Sequence, residues 1–318
     1  MKLILSPARL AVIILVSLVV FGSCKKESSD EEKKQEEFAS QASSEADAES
    51  DDIFNEVFDN VLGVNTDLGF GGTGVFGQMN PGNSGGTGTA RLTACPDVTI
   101  TNVSGVPNTF PVKVVMDFGT GCVGRDGRTR SGKIISVYTN RLFYPGATAT
   151  TEFADYTVDS IKVQGRHVIT NQGEVISTSP NVCIRHKWKV EVTNGKLTKP
   201  NGNYVEWNST KTITQLEGTC TPYIQLDDIY KIEGGAHGKV KRGDLLIAFN
   251  SEITDPLIKK FSCRWLVKGT IRVVRLNLTT NSPWVATINY TFPSTTNGDC
   301  DNKALVTING NPHIITLP

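Results

Sequence analysis

The chain has 318 residues, 32 Lys and Arg against 32 Asp and Glu, and a hydrophobic fraction of 38%. That apolar content suffices for a core and excludes a wholly disordered chain, while zero net charge argues against a uniformly basic nucleic-acid binder. The length fits one large β domain or two small ones.

Lys2 and Arg9 flank the start of an apolar run from Leu10 to Phe21. A membrane-spanning helix needs roughly twenty residues, so this run is too short to cross; it has the length of a signal-peptide core. The run ends in Phe21-Gly22-Ser23-Cys24. This resembles the lipobox of bacterial lipoproteins, with Phe21 where Leu is commoner. The resemblance implies a signal peptide over residues 1–23 and a diacylated Cys24 as the mature N-terminus, anchored by about 0.8 kcal/mol per buried CH₂. Setting Cys24 aside, the seven cysteines leave six: Cys95, Cys122, Cys183, Cys220, Cys263 and Cys300. An exported chain meets an oxidising compartment in which such thiols pair. The spacings lack a C-x-x-C metal pattern. Six cysteines allow fifteen connectivities; sequence proximity selects Cys95–Cys122, Cys183–Cys220 and Cys263–Cys300.

Residues 24–50 are Lys, Glu, Asp, Ser, Gln and Ala around a single large apolar residue, Phe38. Such a composition buries too little surface to offset ordering entropy, so a disordered acidic tether is expected. Ser29-Asp30-Glu31-Glu32 within it resembles the acidic export signal of surface lipoproteins in Bacteroidota-type bacteria. From Asp51 to Leu62 the pattern changes: Ile53, Phe54, Val57, Phe58, Val61 and Leu62 form one stripe at helical period. A short amphipathic helix is predicted there, with Asp51 and Asp52 suiting its N-terminus. Residues 63–90 hold ten glycines among Asn, Thr and Ser, the texture of a flexible linker.

Residues 91–318 read as β. Runs such as Ile134-Ile135-Ser136-Val137-Tyr138, Trp188-Lys189-Val190-Glu191-Val192 and Thr270-Ile271-Arg272-Val273-Val274 are rich in β-branched and aromatic residues. Asn194-Gly195, Asn201-Gly202, Asn297-Gly298 and Asn309-Gly310 are hairpin signals, since both residues tolerate positive φ. The expected fold is all-β: an antiparallel meander of about a dozen strands, as a sandwich or one long curved sheet. Charge is segregated. Residues 24–90 carry four Lys and fourteen acids, a net of −10; residues 91–318 carry 26 Lys and Arg and 18 acids, a net of +8. The plain reading is solubility with a stalk repelled by an anionic surface; the sharper one is a basic head for anionic partners.

Two stretches resemble a group of uncharacterised lipoproteins from Bacteroidota. One is Asp117-Phe118-Gly119-Thr120-Gly121-Cys122 followed by Asp126-Gly127-Arg128-Thr129-Arg130-Ser131-Gly132-Lys133. The other is Cys263-Arg264-Trp265 with Gly298-Asp299-Cys300-Asp301-Asn302-Lys303-Ala304. The resemblance implies an exported β protein and assigns no activity. The two stretches also resemble each other, which suggests a distant internal duplication.

Motifs that suggest catalysis fail on context. Gly82-Asn83-Ser84-Gly85-Gly86 resembles a serine-protease nucleophile loop, but the first internal histidine is His167, and the required upstream partner is lacking. Gly127-Arg128-Thr129-Arg130-Ser131-Gly132-Lys133 has P-loop spacing, yet Ile134 follows and opens a strand. His167, His186, His237 and His313 are scattered. Asp227, Asp228 and Glu233 read as solvated turn residues, since adjacent acids on a strand face opposite ways. Asp117, Asp126, Asp299 and Asp301 match no calcium-loop spacing. Arg125, Arg128, Arg130 and Lys133 form the densest basic spot, a candidate anion site, although a solvated loop is the plainer reading. Trp188, Trp207, Trp265 and Trp284 are candidates for a sugar-stacking platform; the polar neighbours of Trp207 suit exposure there, whereas Trp265 beside Cys263 reads as core. No metal and no cofactor are expected. The expected protein is a lipid-anchored envelope or surface β module, outer-membrane located and non-catalytic, contacting glycan, lipopolysaccharide or an envelope protein; the alternative is an envelope polysaccharide hydrolase.

Overall fold

The computed structural model describes residues 30–65, 67–76, 95–178, 181–221, 227–291 and 300–318, with backbone alone at 174–178 and 181–184. The predicted signal peptide, Cys24, the Gly82–Gly86 motif, Asn297-Gly298 and Asp299 lie outside them. Residues 37–318 form one compact unit, and residues 1–36 are a separate one.

The first described element is one helix, α1 (Asp30–Gly63), of 34 residues. This corrects the expected tether over residues 24–50 and the short helix beginning at Asp51: from Asp30 onward they are one element. The N-terminal half escaped notice because its buried residues are small. Ala39, Ala42, Ala46 and Ala48 are buried, and so are Ser40, Ser43, Ser44 and Ser50. Three of the four hydroxyls are satisfied within the helix itself, Ser44 Oγ donating to the Ser40 carbonyl at 2.8 Å and Ser50 Oγ to that of Ala46 at 2.8 Å, with Ser43 Oγ on the Ala39 carbonyl, whereas Ser40 Oγ reaches the Trp284 carbonyl. That back-bonding lets serine be buried without a partner on another element. The sequence following α1 is also part of the core as far as Phe76, so the expected linker is corrected there. Leu68, Phe70 and Val75 are buried. Phe70 N–H donates to the Leu62 carbonyl at 2.8 Å, and Val75 N–H to Asn60 Oδ1 at 2.8 Å. The segment thus folds back and satisfies orphan groups at the helix end.

The rest of the chain is antiparallel β, as its alternation predicts. The first strands are β1 (Asp97–Asn102), β2 (Val112–Asp117), β3 (Cys122–Val123), β4 (Thr129–Tyr138), β5 (Thr148–Val158) and β6 (Ile161–Asn171). A separate hairpin, β7 (Glu174–Thr178) and β8 (Asn181–Arg185), follows. Then come β9 (Lys187–Thr198), β10 (Tyr204–Glu217), β11 (Ile229–Arg242), β12 (Leu245–Lys260) and β13 (Leu266–Arg275). The last are β14 (Ala286–Asn289), β15 (Lys303–Ile308) and β16 (Asn311–Thr316). Apart from the hairpin, each strand pairs with its neighbours in sequence, giving one open 14-stranded sheet from β1 to β16 with β3 beside β4.

The sheet curls around α1. Helix side chains reach β4 through Glu56 and Arg130, β10 through Phe54 and Trp207, β12 through Asp59 and Lys259, and β16 through Glu37 and His313. Flat sheets cannot do this; curvature comes from bulges and glycine kinks. Register shifts occur in pairing after pairing across the middle of the sheet: at Ser131/Lys133, Glu152/Thr157, Gln164/Arg166, Trp207/Ser209, Ile232/Gly235 and Ile253/Asp255. Asn194-Gly195, expected as a hairpin turn, is one of these kinks: it lies inside β9, with Asn194 at φ 53°. The hairpin signal reports tolerance of positive φ, which a bulge uses equally well. Asn201-Gly202 and Asn309-Gly310 do lie between paired strands as expected.

Two predicted disulfides are present, Cys95–Cys122 and Cys263–Cys300. The first closes the open end of the β1–β2 pair and the second that of β13–β14. Cys220 is also disulfide-bonded, and the side chain of Cys183 lies outside the described ones.

Gly165 tests the role of the kinks. It has φ +118°, and a Cβ there would meet the Asn194 carbonyl oxygen at 2.8 Å and Gly195 Cα at 2.7 Å. Gly165→Ala is expected to destabilise the unit by about 2–4 kcal/mol in urea unfolding. Gly202→Ala, whose Cβ meets nothing within 4 Å, should cost about 1 kcal/mol.

Candidate functional site

The densest charge in the unit lies between α1 and the sheet. Glu56 receives Arg128 Nη1 at 2.7 Å and Arg130 Nε at 2.8 Å. Arg130 Nη2 also donates to Asp126 at 2.5 Å, and Arg128 Nε to Asp159 at 2.6 Å. Asp51 pairs with Lys211, and Asp59 with Lys259 at 2.7 Å. Asp52 is approached by Arg128 at 3.5 Å and Arg264 at 3.6 Å, cations from opposite flanks of the sheet. Nearer the N-terminus, Glu45 pairs with Arg242 at 2.7 Å and Glu49 with Lys199 at 2.8 Å. The segregated charges of the sequence are therefore complementary halves of one interior, which corrects the reading of a repelled stalk.

The candidate anion site is met from within by the protein's own carboxylates. Arg128 and Arg130 are 3% and 0% exposed and hold the protein's own carboxylates. Lys133 pairs with Asp117 at 2.7 Å, and Arg125 has interactions of its own. An external anion would have to displace carboxylates already in place. The sugar-platform reading of Trp207 is corrected too: it is 1% exposed, stacks on Phe54 with ring centroids 5.5 Å apart, and donates Nε1–H to Asp47 at 2.9 Å. Trp188 is fully buried against Phe58, and Trp265 is partly buried with its Nε1–H on the Pro318 carbonyl. Asp227 is exposed as expected, but Asp228 is buried and accepts from Gln215 Nε2 at 2.7 Å and Tyr230 Oη at 2.9 Å.

Burial governs the titration of these groups. It pushes Asp47 and Asp52 up to about 6 against the opposing pull of Lys211 on the first and Arg264 on the second. It raises Asp59 despite Lys259, and it lowers His167, which stacks on Phe54, to about 3. Asp126 is the converse case: burial would raise it, but the hydrogen bond and charge of Arg130, together with the Arg128 N–H and the charge of Arg264, outweigh burial and hold it below the ordinary range. The space among Asp51, Asp52, Lys259, Arg264 and Tyr290 amounts to about 10 Å³, the size of a single water site.

A ligand-sized space lies on the outer face. Alternation along β9, β10 and β11 turns Lys187, Thr212, Thr214, Lys231 and Glu233 outward. The register sets them in rows: Thr214 pairs with Lys187 on one side and Lys231 on the other, and Thr212 pairs with Glu233. Gln172 and Arg185, at the base of the β7–β8 hairpin, close one side of a groove of about 500 Å³ over these rows. Gly234 supplies part of its wall. Lys231 pairs with Glu233 at 2.9 Å. The groove thus offers three cations, two hydroxyls, an amide and one carboxylate, a polar set with an excess of positive charge. Only the sheet register assembles it, and Glu233 alone among its residues stands out in the sequence. Runs of Lys and Thr at alternate positions on neighbouring strands were the available signal.

No family model, curated protein or solved structure matches the chain.

Removing one partner from a buried pair leaves uncompensated charge. Glu56→Ala is expected to lower stability by about 3–5 kcal/mol in urea unfolding, because Arg128 and Arg130 lose their shared carboxylate. Asp47 and Asp52 bind protons more tightly folded than unfolded, so their contribution is complete below the ordinary 3.8 and is lost as pH rises through about 6. Stability should therefore fall from pH 5 to pH 7.5. Asp47→Asn, which keeps an oxygen for Trp207 and Ser251, should shrink that fall by about 1–1.5 kcal/mol. An unchanged pH profile would remove Asp47 as its source.

Proposed function

We propose that the chain is a lipid-anchored envelope protein, attached through Cys24, whose β unit binds an acidic carbohydrate in the outer groove over β9, β10 and β11. The observation that carries the reading is the groove's donor set. Lys187 and Lys231 flank Thr214 in one row across three strands, so charge and hydroxyl partners alternate at the strand spacing of about 4.8 Å. A uronate or a phosphorylated sugar presents carboxylate or phosphate beside hydroxyls at a similar interval. Charge-assisted bonds from the lysines fix the anion, and the threonines, Gln172 and Glu233 serve the hydroxyls. The same chemistry suits a free acidic polysaccharide and the core sugars of lipopolysaccharide.

Two features support the remainder of the reading. The signal-peptide pattern ending at Cys24 favours export and acylation, and the disulfides favour an oxidising compartment. A glycan hydrolase of the usual kind needs two acids in one pocket. Among the described residues, Glu233 is the carboxylate lining this groove, and it is held by Lys231. That favours binding over cleavage.

Titration calorimetry with a trigalacturonate, and with maltotriose as the neutral control, tests the site. The acidic trisaccharide should bind and the neutral one should not. Lys187→Ala and Lys231→Ala should each weaken binding by about tenfold or more, the worth of a hydrogen bond to a charged group. Equal binding of both sugars, or no effect of either variant, refutes the groove; release of new reducing ends replaces binding with hydrolysis.

A further inference from the structure

A second outward surface lies at the end of the unit where the chain enters it. Glu37, the first residue of the unit, accepts from His313 at 2.9 Å beside the β15–β16 turn. Ser40 donates to the Trp284 carbonyl in the β13–β14 loop. Glu45 pairs with Arg242 at the β11–β12 turn. These contacts place the start of the unit and those three connections at one rim. The same rim carries the most exposed leucines among the described residues, Leu246 at 60% and Leu276 at 63%.

The leucines are neighbours. Leu246 and Ala248 are two apart on β12 and share its outer face, and Leu276 N–H donates to the Ala248 carbonyl at 2.9 Å. On the other flank, the register sets Lys241 opposite Leu246 and Lys239 opposite Ala248, and both lysines are exposed. Two solvent-facing leucines framed by two lysines make an interfacial membrane motif on a sheet, apolar groups for the acyl boundary and cations for anionic headgroups. The occupant follows from the chain's path as well as from charge. Cys24 lies thirteen residues before Glu37, so an acyl anchor there tethers the membrane to this rim.

We propose that Leu246, Leu276, Lys239 and Lys241 form a docking surface for an anionic lipid membrane, a second contact beside the acyl anchor. It rests on the reading of Cys24 as the lipid site for its place in the envelope, and it can be measured without the lipid. Full-length protein carrying Cys24→Ala is floated with vesicles of phosphatidylcholine, with and without phosphatidylglycerol. Binding is expected with the anionic vesicles alone. Lys239→Glu and Lys241→Glu should each reduce it by roughly fivefold or more, and Leu246→Ser with Leu276→Ser should reduce it further. All four positions are on the surface, so unchanged thermal unfolding verifies the variants. Absent flotation, flotation indifferent to these substitutions, or a concentration-dependent dimer abolished by Leu246→Ser overturns the proposal. Mass spectrometry of the Cys24 peptide from membranes tests the anchor separately, since an unacylated cysteine removes the anchor and leaves the vesicle result standing.

Discussion

Eight carboxylates lie on α1 between Glu37 and Asp59, and a sheet can enclose such a helix only by supplying their counter-charges. Moving a lone carboxylate out of water costs several kcal/mol even after relaxation. Arg128, Arg130, Lys211, Lys259 and Arg264 meet that requirement from strands and loops spread along the sheet. Asp47 is the instructive exception, since two neutral donors, Trp207 and Ser251, take its oxygen and burial raises its proton affinity. The pairs need not add much net stability, because desolvation offsets most of the attraction. Their effect is on placement. A helix slipped by one turn, about 5.4 Å, would separate every carboxylate from its partner at once.

The aromatic contacts impose the same register by shape. Phe54 and Phe58 fill the C-terminal half of the enclosed space against Trp207 and Trp188, whereas alanine and serine line the N-terminal half. Kinks along the middle of the strands let the sheet bend around the helix without breaking its ladders.

Much of this could be read from the sequence, and the failures have a common cause. Alternation in the strands, the two proximal disulfides and the stripe from Ile53 to Leu62 are local patterns, and all appear as expected. Ala39 to Ser50 was unreadable because burial there depends on what surrounds the helix. Ser43, Ser44 and Ser50 look solvent-loving until their hydroxyls are seen to bond one turn back. Arg128 and Arg130 looked like a ligand site for the same reason, since their partner Glu56 is more than seventy residues earlier. The outer groove is likewise non-local: Lys187, Thr214 and Lys231 are ordinary residues until register makes them adjacent.

The position of α1 in the chain has a consequence for how the protein acquires its structure. The helix comes first in sequence yet sits at the centre, and its partners lie 72 residues away at Arg128 and 276 away at His313. A newly made chain can form hairpins between successive strands early, since each needs only short loop closure. Sealing the interior must wait until the last strands emerge. Contacts so distant in sequence make folding slow. Until it is complete, the acidic helix and the concave basic face remain exposed to their surroundings, with opposite charges that attract each other and also any other chain caught at the same stage.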